Sequence, residues 1–479
     1  MSEEAHVSST EDPGRQRLEM EREAIRDFEA CRPRVEGVLS PRERIQALID
    51  PGSFLELGSL TRSQQQSDGG GSTPADGLVA GWATVHGREI ALLAEDPLVL
   101  KMTDAQVAGD KRLRILNTSA IRGVPIVYMA DGQEGEWAGF PVDRGDLFGY
   151  HRYQRTEPVS SELAAPLITA VFGRCVGRAA ELLMEADFVV STQRGSLSIV
   201  PSELASEPGD QDGLFDLLVE DDREAIANVR KFLSSTPSTD DPRALGTAEM
   251  PRRPLDDSLL PHASVDDVID GLFDEGSILS FRNQPGFVSG IGAITGHRVA
   301  FAVTGGPTPH LLNTLDVTAI GRVAHLSRRL RMPLVFVQDA DGYDPAAARS
   351  PEFLRRLAVA LDEVRKTWAP KLVLVTGHGH VLGSFVMGGR QLGMDYVMAL
   401  PFAQIAPRDV VAFHPGAIPG DLVDGPWVAA GFGHLDEVVA PSEARQQMAT
   451  FLQILSLGLD VPPPEVDRRG RYVADIPKV

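Results

Sequence analysis

A duplication within the chain constrains the fold more than any other feature of the sequence. Gly81–Ala91 and Gly290–Ala300 each carry two glycines six positions apart. Each is followed by a run in which proline and aspartate are also six positions apart, Pro125–Asp131 in the first copy and Pro333–Asp339 in the second. A chain of 479 residues suits about two to four ordinary domains, and the repeat favours two. We therefore predict two copies of one fold.

Each copy opens on a similar header. Pro41–Leu57 and Val265–Leu279 both combine a short amphipathic helix, a turn that contains glycine and an extended segment. In the first header, Ser40 is the predicted N-cap and Pro41 the first helical residue. Ser234–Pro261, rich in proline and charge, is predicted to link the copies. We expect an N-terminal extension, partly disordered and partly helical, over residues 1–35 and domains over residues 36–245 and 246–479.

Short apolar runs of strand length recur in both copies. They are continuous and not alternating, which is typical of parallel strands covered by helices on both faces. Helical segments fall between them, and the one predicted over Phe353–Trp368 places its apolar residues, from Leu354 to Trp368, on one face. The pattern predicts an α/β architecture made twice. The predicted strands are Ile90–Ala94, Pro125–Met129, Leu167–Phe172, Val299–Val303, Pro333–Val337 and Lys371–Thr376.

Composition and charge exclude several classes of function. A formal charge of -21 argues against a nucleic-acid or anionic-membrane partner, because both need a basic surface. The cysteines are Cys31 and Cys175, which offer no disulfide framework and suit a reducing compartment. No apolar run approaches the length of a membrane span. We expect a cytoplasmic protein.

Four segments carry a resemblance to a known family: Arg42–Phe54, Asp76–Trp82, Gly431–Pro441 with Arg445, and Ile476–Lys478. They resemble the carboxyltransferase (β) subunits of biotin-dependent acyl-CoA carboxylases, such as propionyl-CoA carboxylase β chains. The resemblance runs from about residue 40 to the C-terminus. It implies an α/β fold of two tandem crotonase-like domains, of the ClpP/crotonase superfamily.

The resemblance also implies an activity and partners. The enzyme would carboxylate a coenzyme A thioester or an acyl-carrier thioester, through an enolate stabilised by backbone N–H groups. A separate biotinylated carrier, loaded by a biotin carboxylase subunit, would supply the carboxyl group, because this sequence has no Met-Lys-Met biotin signal. The family works as homo-oligomers built from dimers, hexamers among them, with the site between two subunits.

In the family, glycine-rich loops let backbone N–H groups approach the thioester and biotin carbonyls. In the first copy the matching loops contain Gly132 and Gly135, and then Arg174, Gly177 and Arg178. The glycines are assigned to catalysis and Arg174 to substrate binding. Arg178 stands where a second glycine is usual, and it would either clamp a carboxylate or phosphate or lie on the surface at the start of a helix.

The second copy offers its own candidate loops. Gly342 and Gly383 are the candidate catalytic glycines, and Asp341 and Tyr343 are assigned to substrate binding. His378 and His380 follow a predicted strand. Three roles are open for these histidines: an acid or base near the thioester, half of a metal site, or packing within the loop. The sequence offers no convincing third ligand, so we predict no metal.

Two further pairs of residues have a structural reading. Arg328 and Arg329 are assigned to the phosphates of coenzyme A, although a charged helix end is often only solvated. Asp131 and Asp339 occupy the same place in both copies, which favours a structural capping role.

Altered glycine loops leave other activities open. On the same fold, the chain would act without biotin as a decarboxylase, hydrolase or acyltransferase, with His378 or His380 as proton donor. It would otherwise be a catalytically inactive paralogue that assembles with an active homologue.

Overall fold

The structure, a computed structural model, describes residues 12–62, 74–100, 106–132, 165–176, 180, 183–198, 213–237, 246, 248–258, 263–379, 385–405 and 425–455. The chain divides into two compact units. The first comprises Met1–Ala186, Ser191–Asp210 and Val219–Ala227, and the second comprises Asp187–Val190, Gln211–Leu218 and Asn228–Val479. The domain limits expected from the sequence, after residues 35 and 245, remain predictions. Within the described ranges, no helix is both long and apolar enough to cross a membrane.

Helices begin where the sequence supplies caps. The Ser40 hydroxyl accepts a hydrogen bond from the N–H of Glu43, and the Glu43 carboxylate accepts one from the N–H of Ser40. The predicted N-cap of the second helix is therefore confirmed, as part of a full capping box. The helices of the described residues are α1 (Pro13–Ala30), α2 (Pro41–Leu48), α3 (Pro97–Leu100), α4 (Gln106–Arg122), α5 (Asp222–Ser235), α6 (Val265–Leu272), α7 (Thr314–Leu330), α8 (Pro351–Lys366), α9 (Pro426–Gly431) and α10 (Pro441–Leu455).

Most strands form two seven-stranded sheets with the same layout, and the others form the two-stranded sheets β6-β8, β13-β15 and β17-β19. The strand orders of the seven-stranded sheets are β1-β2-β3-β4-β5-β7-β9 and β10-β11-β12-β14-β16-β18-β20. The strands are β1 (Leu55–Leu57), β2 (Leu78–Val85), β3 (Arg88–Glu95), β4 (Ile126–Ala130), β5 (Leu167–Val171), β6 (Arg174–Val176), β7 (Phe188–Thr192), β8 (Ser196–Ser198), β9 (Leu217–Val219), β10 (Leu279–Gln284), β11 (Phe287–Ile294), β12 (His297–Thr304), β13 (His310–Leu312), β14 (Leu334–Gln338), β15 (Ala340–Tyr343), β16 (Lys371–Val375), β17 (His378–Gly379), β18 (Tyr396–Ala399), β19 (Gln404–Ile405) and β20 (Glu437–Val438).

In each sheet an antiparallel hairpin precedes parallel strands. β1, β2 and β3 pair antiparallel and β3, β4 and β5 pair parallel; β10, β11 and β12 pair antiparallel and β12, β14, β16, β18 and β20 pair parallel. The α/β class, its duplication and all six predicted strands are confirmed. Parallel strands place their carboxyl ends at one edge of a sheet, so the loops that follow them converge there.

The repeated glycines have the same structural cause in both sheets. His86 and Gly87 form the turn between β2 and β3 with φ of 52° and 75°, and Thr295 and Gly296 repeat it between β11 and β12 with φ of 51° and 78°. Two successive positive φ values define a type I′ hairpin turn, where glycine is favoured at the second position. Both N–H groups of the first turn donate to the Asp50 carboxylate, at 3.0 and 2.9 Å.

The helix predicted over Phe353–Trp368 exists as α8, but its buried face differs from the predicted one. Phe353, Ala360 and Val364 are buried, whereas Leu354 is 54% exposed. The close approach of α7 explains the difference, because a Cβ on Gly321 would lie 3.4 Å from the Cβ of Ala360. Small residues therefore set the line of contact between the two helices, and the leucines lie to one side of it.

Candidate active site

Asp131, which follows β4 in the first unit, is fixed through its backbone. Its N–H donates to Glu95 Oε2 at 3.0 Å, and Glu95 Oε1 accepts the Tyr128 hydroxyl at 2.8 Å. Glu95 and Tyr128 are both buried. Burial and the nearby Glu95 charge hold the pKa of Tyr128 well above its usual value, so the hydroxyl remains a donor at neutral pH. Strands β3 and β4 thus end in one hydrogen-bonded unit.

The Asp131 carboxylate meets a buried arginine. Arg44 is 1% exposed and lies 2.7 Å from Asp131 Oδ2 and 2.8 Å from Asp222 Oδ2. Its guanidinium stands over the ring of Phe172 at 4.0 Å from the ring centre. Burial raises the pKa of Asp131, and Arg44 opposes that rise. Arg44 therefore joins α2, the end of β4 and the start of α5.

The second unit repeats this backbone arrangement with different side chains. The Asp339 N–H donates to Thr304 Oγ1 at 2.8 Å, as Asp131 does to Glu95. Asp339 Oδ1 accepts the N–H of His378 at 2.7 Å. A Cβ on Gly377 would lie 2.4 Å from Asp339 Oδ1, and one on Gly173 would lie 2.2 Å from Asp131 Oδ1. In both units the aspartate side chain lies against a glycine that follows the next strand.

His378 is bracketed by acceptors in the second unit. Its Nε2 is 2.6 Å from Gln404 Oε1, and its Nδ1 is 3.6 Å from Asp339 Oδ1. The residue is buried, and β17 pairs parallel with β19 so that His378 faces Gln404 in register. The hydrogen bond to Gln404 therefore orients the imidazole through Nε2, which suits either proton transfer or a structural role.

The segment Asp341–Tyr343 lies in β15, beside β13. Gly342 has φ of +110°, a conformation that side chains rarely adopt. The Tyr343 hydroxyl accepts the N–H of Val386 at 3.1 Å, and its ring contacts Phe353 and Phe385 with ring centres at 5.4 and 5.1 Å. Tyr343 thus contacts the chain that follows β16.

Arg328 and Arg329, assigned to coenzyme A phosphates, form ion pairs in the structure. Arg328 lies 3.0 Å from Glu363 Oε2 and Arg329 lies 2.9 Å from Asp187 Oδ1, all within the second unit. These contacts occupy both guanidinium groups at the C-terminal end of α7. Phosphate binding by either arginine stays a prediction.

The remaining assigned residues fall into two groups. Gly132 and Arg174 are described: a Cβ on Gly132 would lie 3.2 Å from Glu95 Oε2, and Arg174 begins β6 opposite Ser196 of β8. The other five lie outside the described residues, namely Gly135, Gly177, Arg178, His380 and Gly383. Within the described ranges, no group of three or more His, Cys, Asp or Glu side chains is placed to hold a metal ion.

Sequence reasoning missed the polar partners of these positions. Arg44, Glu95 and Gln404 are distant along the chain from the aspartates and histidine that they hold. Arg44 lies within a motif quoted for the family resemblance, and that membership was the signal that could have singled it out. Glu95 and Gln404 carry no such signal in a single sequence.

Two seven-stranded sheets with duplicated strand-end clusters define a two-domain crotonase-like protein. The model of the carboxyl transferase domain matches residues 32–201 and 205–409, and the chain belongs to that family. The biotin-dependent long chain acyl-coenzyme A carboxylase beta4 subunit of Mycobacterium tuberculosis is 26% identical, over 92% of this chain and 93% of that protein. The propionyl-CoA carboxylase beta chain of Saccharopolyspora erythraea is also 26% identical, over 88% of each chain.

Solved structures give the same fold. A crystal structure of transcarboxylase 12S, described as a hexamer assembly with methylmalonyl-coenzyme A bound, superposes with a TM-score of 0.78. That match covers 97% of this chain and 99% of the other at 20% identity. The expected family and the two crotonase-like domains are therefore confirmed.

Proposed function

We propose that this protein transfers a carboxyl group from carboxybiotin, carried on a separate protein, to the α carbon of an acyl-CoA or acyl-carrier thioester. Membership of the carboxyl transferase family supports the reaction class. The observation that carries the proposal in this chain is the repeated strand-end arrangement, because Asp131 with Gly173 and Asp339 with Gly377 fix the same loop positions in both units.

The proposed reaction proceeds through an enolate. The N–C bond of carboxybiotin breaks and releases CO2, and the ureido nitrogen takes the α proton of the thioester. The enolate carbon then attacks CO2, which gives the carboxylated thioester and neutral biotin. Backbone N–H groups in the loops after the parallel strands stabilise the enolate oxygen and the ureido oxygen. The working form is a homo-oligomer built from dimers, and its partner is the biotinylated carrier with its biotin carboxylase.

A labelled-bicarbonate assay tests this function. The full-length chain is combined with a biotin carboxylase, a biotinylated carrier, ATP and acetyl-CoA or propionyl-CoA. We expect acid-stable label in the carboxylated thioester, dependent on the carrier. A known carboxyltransferase subunit with the same carrier is the positive control, and label in the control without label in this chain would refute the proposal.

A second activity, biotin-independent decarboxylation, is favoured by His378. Gln404 orients its imidazole, which could protonate an enolate left by loss of CO2. In that case malonyl-CoA or methylmalonyl-CoA would release CO2 without any biotinylated protein. His378→Gln, which keeps a polar group for Gln404, would then lower the rate roughly 100-fold. Carrier-dependent labelling that His378→Gln leaves unchanged excludes this second activity as the main one.

A further inference from the structure

In the second unit, hydrogen bonds join the chain that follows β14 to the chain that follows β16. Side chains of the first segment bond backbone groups of the second. β14 and β16 pair parallel, so the chain segments that follow them, residues 338–343 and residues 377–379, leave the sheet at the same edge. Gln338 Nε2 donates to the Met387 carbonyl at 2.9 Å, and Asp339 Oδ1 accepts the His378 N–H at 2.7 Å. The Tyr343 hydroxyl accepts the Val386 N–H at 3.1 Å. We call these three contacts the brace.

The brace is buried and closely packed. Gln338 and Asp339 are 0% and 1% exposed. A Cβ on Gly377 would lie 2.3 Å from Asp339 Cγ, and one on Gly379 would lie 2.5 Å from Val375 Cγ1 and 2.9 Å from Gln338 Oε1. The glycines are therefore needed for the two side chains to approach, and this accounts for Gly377 and Gly379 without any contact to a ligand.

The first unit lacks the Gln338 part of the brace, and the difference extends to its partner. Counting from the shared proline, Ala130 stands where Gln338 does. Counting from the strand-end glycines Gly173 and Gly377, Cys175 stands where Gly379 does. Alanine has no amide to reach across, so the facing position needs no glycine. The strand-end aspartate and its glycine occur in both units, whereas glutamine with its glycine occurs only in the second. The pair of Gln338 and Gly379 thus distinguishes the second unit from the first.

The brace holds the chain on both sides of residues 380–384. Its contacts fall on His378 before that segment and on Val386 and Met387 after it. Phe385 is fixed as well, because its ring contacts the ring of Tyr343. An error of about 1 Å in the placement of catalytic groups lowers rates roughly 100-fold, so contacts of this kind matter for any loop that acts through its backbone.

We propose that Tyr343 and Gln338 are positioning residues for the loop that follows β16. They hold residues 377–379 and 385–387 in place and contact no substrate. The expected effect on rate rests on the proposed carboxyl transfer. The three hydrogen bonds of the brace do not depend on that proposal. It replaces the substrate-binding assignment of Tyr343 with a role that acts through the Val386 N–H.

The test combines hydrogen exchange with kinetics on the full-length protein. Tyr343→Phe keeps the ring and removes the hydroxyl, and Gln338→Met keeps the length and removes the amide. We expect backbone exchange in peptides covering Val386 to rise roughly tenfold in Tyr343→Phe, the effect of losing one hydrogen bond. In carrier-dependent carboxyl transfer we expect kcat to fall while KM for the acyl thioester stays unchanged, because the loop is displaced and no substrate contact is lost.

Tyr396→Phe is the matched control. The Tyr396 hydroxyl also accepts one hydrogen bond, from Gln447 Nε2 at 3.0 Å, and its ring stacks on Phe451, but it makes none of the brace contacts. Unchanged exchange at Val386 in Tyr343→Phe would overturn the brace. Faster exchange with unchanged kcat, or a KM effect alone, would overturn the positioning role and leave the proposed function standing. If the wild-type chain transfers no carboxyl group, the proposed function fails and the exchange at Val386 still decides the brace.

Discussion

At the residue scale, Arg44 is the most constrained charge in the first unit. It is buried, stacks on Phe172 and faces two carboxylates, Asp131 and Asp222. The Asp222 carboxylate also accepts hydrogen bonds from the Arg194 guanidinium at 2.6 Å and from the Leu39 N–H at 2.9 Å. A buried carboxylate without a cation beside it raises the free energy of the folded state. The main effect of removing Arg44 would therefore be to leave Asp131 and Asp222 without this cation.

Arg44→Met should destabilise the protein by about 3–5 kcal/mol, because two buried carboxylates would lose a shared partner. Arg44→Lys should recover only part of this, since an ammonium group lacks the planar fork that spans both carboxylates. Urea unfolding followed by circular dichroism measures the loss. Arg253→Met is the control: the Arg253 side chain is 72% exposed and pairs with Asp267, so its loss should cost about 1 kcal/mol or less. Equal losses for both variants would contradict this account of Arg44.

Residue patterns in the sequence predicted backbone geometry better than they predicted partners. Gly87 and Gly296 marked the duplication in the sequence, and both have the positive φ that restricts the residue type locally. The partner of Asp131 is a buried arginine 87 positions earlier, and the partner of His378 is Gln404. No local rule chooses such partners, because any of several polar residues would satisfy the same group.

At the scale of elements, α7 and α8 are joined by charge as well as by packing. His325 of α7 lies between two carboxylates, with Nε2 3.3 Å from Asp187 Oδ1 and Nδ1 3.5 Å from Glu363 Oε2. Arg328 and Arg329 pair with the same carboxylates, and Arg322 pairs with Asp216. Burial opposes the imidazolium, but the hydrogen bonds to Asp187 and Glu363 outweigh it and raise the pKa of His325.

Stability should therefore decline as pH rises from 6.5 through the folded-state pKa of His325. The raised pKa means that the folded state binds the proton more tightly, so the contribution is complete below 6.5 and is lost above it. Urea midpoints across this range measure the decline, and His325→Gln should flatten it. His297 provides the contrast, because burial lowers its pKa and its loss of stability lies below 6.5. A His325→Gln profile identical to wild type would refute the assignment.

The faces of the elements were less predictable than their existence. Periodicity located α8 to within about two residues at each end, yet it placed Leu354 on the buried side. Apolar spacing fits two overlapping stripes on this helix, and the choice between them is made by Gly321 of α7, which admits Ala360 at close range. That choice depends on a second helix, which the α8 sequence does not contain.

At the scale of the whole molecule, the two sheets keep one backbone plan while their polar groups diverge. Glu95 and Thr304 accept hydrogen bonds from equivalent backbone N–H groups, those of Asp131 and Asp339, although one acceptor is a carboxylate and the other a hydroxyl. The duplication could be predicted from the sequence because glycine, proline and aspartate recur where both units need the same backbone conformation. The polar partners that differ between the two units were not predicted, since side chains at equivalent positions are free to change.

Buried lysines show the same divergence and dominate the alkaline behaviour that we expect. Lys111 lies on α4, where Nζ donates to the Ala75 carbonyl at 3.1 Å and to that of Leu78. Lys371 begins β16 and donates to the Val364 and Leu392 carbonyls, each at 3.1 Å. They occupy unrelated positions, one in each unit. Burial lowers the pKa of each to about 8.

Stability should consequently rise between about pH 8 and about pH 10. An unfolded lysine binds its proton up to pH 10.5 and these folded ones do not, so each contributes up to about 3 kcal/mol across that window. Tyr128, whose pKa is raised by burial, opposes the rise only above pH 10. Lys111→Met and Lys371→Met should each remove a large part of the slope in urea unfolding, because methionine binds no proton in either state. Lys366, an exposed residue paired with Asp362, is the control whose replacement should leave the slope intact. A slope that survives in the double variant would show that the alkaline rise comes from elsewhere in the molecule.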